Sequence, residues 1–186
     1  MRTLFLTIAL LFVANGLFSQ TNYYTETKTF YEDGYTYQVD RCESGHIKVY
    51  NKDNKWINKD QTYKSTGEYF DVPDYGPDLL DNRYYKTTNK ILYDILYECF
   101  SDEEIENIKN IGRKCNINFY IDSETGKVDD VRFSFHRTSG YVNIPISVFR
   151  EIELKIKDRL TFVVTEEGKK INYIYCFEII YSTDFK

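Results

Sequence analysis

Histidine occurs only twice, proline three times and tryptophan once in this chain of 186 residues. Neither His46 nor His136 stands in a metal-binding spacing such as HExxH, and no GxSxG elbow supplies a nucleophile for either to activate. Both read as ordinary polar residues at strand ends, so the sequence offers no catalytic residue, no metal site and no cofactor motif. Three prolines and nine glycines exclude a collagen-like or proline-rich chain. No period of about 20–50 residues is present, which argues against a solenoid. Basic residues are in the minority: 24 Lys and Arg against 29 Asp and Glu leave a net charge of −5. Such a chain lacks the electrostatic footprint that duplex nucleic acid demands, and no nucleic-acid partner is expected. Disorder is excluded by what is abundant. Hydrophobic residues make up 42% of the chain and aromatics 17%, enough apolar surface to offset chain entropy on burial.

Long apolar runs are missing except at the start. Arg2 is followed by the apolar stretch Leu4 to Ala14, then by Asn15-Gly16 and the small residue Ser19. This order is that of a cleavable secretory signal over residues 1–20, with cleavage after Ser19 or Gln20. The stretch is shorter than the ~20 residues that cross hydrocarbon, so an anchor is the weaker reading. No cysteine follows it directly and no twin arginine precedes it. The expected address is periplasmic or extracellular, with no integral membrane segment after cleavage.

Cys42, Cys99, Cys115 and Cys176 form no CxxC pair, which excludes a zinc ribbon and a thioredoxin-like redox pair. In an oxidising compartment four cysteines permit two disulfides in three connectivities, and buried free thiols are the alternative. Cys99 and Cys115 make the expected bridge, because a capped helix between them can return the chain to its start. Closing that loop would stabilise by roughly 3 kcal/mol.

Residues 21–87 open on an antiparallel meander. Thr29 and Tyr31 alternate with Lys28 and Phe30, Asp33-Gly34 turns, and Tyr35, Tyr37 and Val39 alternate on the return. Glu43-Ser44-Gly45 then turns into Ile47 and Val49. Loops and extended segments are expected over 51–87. In residues 88–186, Ile91, Leu92, Ile95, Leu96 and Cys99 fall on one face of a helix starting near Asn89. Ser101 and Glu104 form a capping box for a second helix ending at Gly112. Cys115 to Ile121 and Val128 to Phe135 alternate as two strands joined by Asp122 to Gly126. Pro145 opens a third helix with Phe149, Ile152, Ile156 and Leu160 inward. Thr161 to Val164, a Glu167-Gly168 turn and Ile171 to Tyr181 suggest a closing hairpin. The fold class is α+β, with both segments packed as one globular body.

The order of helix, CNINFYIDSETGKVDDVRFSF hairpin, IPISVFREIELKIKDRLTF helix and final strand resembles the C-terminal domain of TonB-type proteins, over roughly residues 88–181. That likeness implies a shared fold; the missing proline-rich spacer means that energy transduction is not implied. The whole sequence, including TKTFYEDGYTYQ and YNKDNKWINKDQTYK, also resembles small secreted proteins of uncharacterised function from gut Bacteroidota.

The acidic stretch Asp71 to Asn82 could supply calcium oxygens, but its spacing is not that of an EF-hand loop, and Asx and Pro explain it as turns. Asp122 to Gly126 reads as a hairpin turn on the same grounds. Thirteen of eighteen tyrosines lie between Tyr23 and Tyr97, beside the single Trp56. Tyrosines suit thin sheets, yet Tyr and Trp also mark binding surfaces. Tyr50, Trp56 and Tyr63 are the candidate ligand contacts. The expected function is that of an exported, non-enzymatic binding protein for an unknown protein or glycan ligand, with a basic protein as one version. A carbohydrate-binding module is one alternative; a glycan-active hydrolase with two acids ~5–9 Å apart is the other.

Overall fold

The computed structural model describes residues 22–185 except 33, 72–77, 82 and 84. Residues 1–20, where a secretory signal is expected, Asp33 of the first turn and most of the Asp71–Asn82 stretch lie outside the described residues. The expected meander is present as β1 (Lys28–Glu32), β2 (Tyr35–Arg41) and β3 (His46–Asn51). Its inward residues Tyr37, Val39, Ile47 and Val49 are all buried, as alternation requires. Helix α1 (Tyr85–Cys99) begins at Tyr85 rather than near Asn89, and buries Leu92, Ile95 and Leu96. Helix α2 (Asp102–Ile111) opens on the capping box. Ser101 Oγ accepts the Glu104 N–H at 3.3 Å, and Glu104 Oε2 accepts the Ser101 N–H at 2.8 Å.

Strands β4 (Lys114–Ile121) and β5 (Val128–His136) form the expected hairpin. Asp122 makes its turn: Oδ1 accepts the Glu124 and Thr125 N–H groups at 3.1 and 2.7 Å. Helix α3 (Ile146–Arg159) follows, with Pro145 at its N-cap, and β6 (Ile174–Tyr181) completes the sheet. All pairings are antiparallel, in the order β1-β2-β3-β5-β4-β6. This is the α+β architecture expected from the patterning. The meander of the first half joins the hairpin of the second because β3 pairs with β5.

α3 packs against α1 and lies on β5 and β1. Its Phe149 ring meets Phe133 at 4.8 Å, Phe135 at 5.6 Å and Tyr24 at 6.1 Å between centroids. Ile152 and Ile156 continue this buried stripe along the helix. Burying one such aromatic contributes roughly 1.5–3 kcal/mol, so the aromatic cluster is the main hydrophobic anchor of the helical layer. A polar network lies inside the same layer. Tyr37 donates its hydroxyl proton to the buried Glu153, and Lys157 Nζ lies 3.4 Å from Glu153 and 3.9 Å from the buried Asp130. Desolvation holds both carboxyls above their usual range.

Two expectations are corrected. Thr161 to Val164 and Ile171 to Tyr181 do not form a closing hairpin. Thr161 bridges Lys127 and Val164 bridges Leu80, while β6 takes the long free edge of β4 from Lys114 to Ile121. The run of strand, turn, strand, helix and strand therefore sits inside a larger sheet. The second correction is that Cys99 and Cys115 are not bridged; all four cysteines are free. Cys99 ends α1 beside Glu151 and Lys155 of α3, whereas Cys115 enters the sheet opposite Phe135 and Ile180. The helix that was to return the chain instead delivers Cys115 to a different layer. Burial pushes the Cys115 and Cys176 thiols up to about 12, which disfavours their thiolates. Among the described residues no helix is long and apolar enough to cross a membrane.

Candidate functional site

Because successive side chains of a strand alternate, burying one face of the sheet under helices fixes what the other face presents. On β5 the outward residues are Arg132, Ser134 and His136, since Val131, Phe133 and Phe135 face the core. On β4 they are Asn116, Asn118 and Tyr120, and on β3 His46, Lys48 and Tyr50. Strand β6, at the edge, turns out Tyr175, Phe177, Ile179 and Tyr181. This face is polar in the middle, aromatic along one edge and cationic overall. Lys48, Lys114 and Arg132 are opposed by Asp40, which accepts the Tyr50 O–H at 2.8 Å and a Gln38 N–H at 3.0 Å. Burial and then Asp40 push the Tyr50 hydroxyl up to about 12.

A continuous line of rings crosses one end. Trp56 stacks on Tyr173 at 4.8 Å, Tyr173 meets Tyr120 at 5.8 Å, Tyr120 meets Tyr175 at 5.7 Å, and Tyr175 meets Phe177 at 6.4 Å. Tyr120 and Tyr173 are buried beneath their neighbours, while Tyr175 and Phe177 are 37% and 52% exposed. The Tyr175 hydroxyl donates to Asn118 Oδ1 at 2.6 Å, and Asn118 Nδ2 donates to the Arg132 carbonyl at 2.9 Å. The Arg132 guanidinium lies 5.8 Å from the Tyr120 ring centre. Arg132 Nε and Asn116 Oδ1 are buried atoms with no hydrogen-bond partner among the described residues.

The far corner holds both histidines, directly opposite each other on β3 and β5 with ring centres 5.7 Å apart. The Thr138 N–H donates to His136 Nδ1 at 3.3 Å. Desolvation first, then Arg113, His46 and Arg137, hold His136 below the usual imidazole range. Arg113, Lys114, Asn116 and Ser134 complete a shallow concavity of about 280 Å³ there.

The three aromatics singled out by sequence do not form one site. Tyr50 lies on the open face, bordering a concavity of about 350 Å³ together with the 52–59 loop. Trp56 fastens that loop: its Nε1–H donates to Asp129 at 2.9 Å, its backbone N–H to Asp130 at 2.8 Å, and Lys55 Nζ sits 4.2 Å from the ring centre. Tyr173 lies against one face of the ring, so these contacts hold Trp56 in place. Tyr63 is elsewhere, bridged to Ile171 and packed edge-on against Phe70. Arg132, Asn116, Tyr175 and Phe177 are the residues that composition did not single out. The signal was the alternation of their strands, which marks outward positions but not which strands stand side by side.

A third hollow, of about 230 Å³, lies between α1, β6 and residues 160–163. It is lined by Leu92, Phe119, Phe162 and Cys176, with Asn89 Nδ2 3.3 Å from Glu178 Oε1. Among the described residues no three His, Cys, Asp or Glu side chains are grouped to hold a metal. The buried acids Glu153 and Asp130 face the helical layer, where Lys157 joins them.

No curated protein matches this chain. A family model described as a domain of unknown function, DUF5043, matches residues 20–177. A crystal structure of a DUF5043 family protein from Bacteroides uniformis ATCC 8492 is 31% identical and superposes with a TM-score of 0.76, covering 87% of this chain and 88% of that one. These findings support the likeness to proteins of uncharacterised function and do not extend to TonB-type domains. A match over most of the chain, joined by a solved relative of the same architecture, shows that the protein belongs to the DUF5043 family.

Proposed function

We propose that the protein is an exported, non-enzymatic binding module whose open sheet face receives a glycan chain. One observation carries this reading: exposed Tyr175 and Phe177 stand on the same open face as the amides of Asn116 and Asn118 and the guanidinium of Arg132. Sugars present apolar C–H faces and dense hydroxyls, and rings flanked by amide and guanidinium groups match both. A basic protein partner fits this face poorly, because Lys48, Lys114 and Arg132 would repel it. Export is supported by the charged, apolar and small-residue order of residues 1–20.

Glycan-array binding of the mature protein tests the assignment, with intact mass from a native-type host reporting cleavage near Gln20. The double substitution Tyr175→Ala/Phe177→Ala should lower affinity for any glycan found by about 10-fold or more, since two stacked rings contribute roughly 1–2 kcal/mol. Undiminished binding in that variant would place the ligand elsewhere.

A further inference from the structure

The open face is cationic although the chain as a whole carries −5. We infer that the glycan it selects is one bearing carboxylates, a uronate-containing chain, with one uronate seated over Ser134; this rests on the glycan reading above. Ser134 pairs across the sheet with Lys48 on one side and Asn116 on the other. Arg132 and His136 flank it along β5 on the same face. Cross-strand neighbours stand about 4.8 Å away and same-face neighbours about 6.7 Å, so these groups ring one spot. Lys48, Lys114 and Arg132 enter none of the salt bridges among the described residues, which instead occupy cations of loops and helices such as Lys55, Lys155 and Arg159. Cations that stand outside ion pairs are ready for an anion, with Asp40 beside Lys48 the acid nearest to them, and a planar carboxylate suits the Arg132 guanidinium.

The spacing argues for a glycan of moderate charge density. Phe177 on β6 lies two strands from β5, about 10 Å from the cation cluster. A chain crossing the strands would place a charged group over Ser134 and an uncharged ring face over Phe177. The surrounding acidic molecule repels a densely charged polyanion, so nucleic acid and acidic peptides fit less well.

Binding of the mature protein to hyaluronan, alginate and polygalacturonate, each beside its carboxyl-reduced form, decides the matter. At least one acidic form is expected to bind 10-fold or more tighter than its reduced counterpart. That preference should fall at least 5-fold in Lys48→Gln and in Arg132→Gln, with thermal melting confirming that both variants fold. Equal binding of acidic and reduced forms overturns the uronate inference but leaves the glycan reading standing. Failure of every acidic glycan, with a neutral one bound on the array, does the same. Failure of all glycans sinks both, and equal binding to polyglutamate or single-stranded RNA overturns the inference as general polyanion attraction.

Discussion

Replacing Phe149 by Ala is expected to lower unfolding free energy by roughly 3–5 kcal/mol, in line with aromatic truncation in a packed core. The ring touches Phe133, Phe135 and Tyr24 at once, so it joins α3, β5 and the segment before β1. Its loss leaves a hollow ringed by aromatic side chains that are too rigid to collapse into it. For a chain of this length the midpoint of thermal unfolding should drop by about 10 °C or more. Leu154→Ala on the same helix, where the side chain is exposed, should change stability by less than about 1 kcal/mol. Denaturant melts of the two variants side by side provide the measurement. If Phe149→Ala cost no more than Leu154→Ala, the α3 stripe would not be the anchor described.

The second large effect is expected at Gly126. It has φ +73, and a Cβ there would lie 1.9 Å from the Phe162 carbonyl oxygen. Left-handed backbone costs a non-glycine residue roughly 1–2 kcal/mol. Overlap with main chain adds more, because residues 161–164 must move, at the expense of the Phe162 N–H to Gly126 carbonyl bond of 2.8 Å. Gly126→Ala should therefore lose roughly 2–4 kcal/mol. Gly67→Ala is the matched control: φ is +72 but nothing lies within 4 Å of the added carbon. Its loss should be limited to the backbone cost of roughly 1–2 kcal/mol. Equal losses in both variants would contradict the contact with Phe162.

Most local structure was legible in the residues. The Ser101–Glu104 box, the β4–β5 hairpin and the Phe149 stripe depend on spacings of three, four or two positions, which the sequence displays directly. Strand order was not legible. Nothing in Ile47 or Val49 distinguishes β5 from another apolar partner, and Thr161 to Val164 resembles a strand that the final sheet does not use. The same limit governs the site. Tyr50 was visible as an aromatic of the meander, but Arg132, Asn116 and Phe177 become neighbours only through the β3-β5-β4-β6 order. Composition points to Tyr63 and Trp56, whereas tertiary contacts set one against Phe70 and fasten the other to Asp129. Cys99 and Cys115 illustrate the point for covalent links. Loop length permits a bridge; layer placement decides it.

The arrangement of β3 against β5 and of β6 against β4 also bears on how the chain acquires its structure. The meander emerges first from any ribosome or export channel, yet its inner strand β3 must wait for two helices and β4 before its partner exists. Until then the β3 edge is bare, with Ile47 and Val49 uncovered. The last strand to arrive is the one that closes the free side of β4. Such non-local pairing makes folding slow and end-dependent, and keeps the nascent chain open until nearly all of it is available. A chain cut before β6 would keep the helices and five strands but expose the β4 edge, a template for self-association rather than for a native fold.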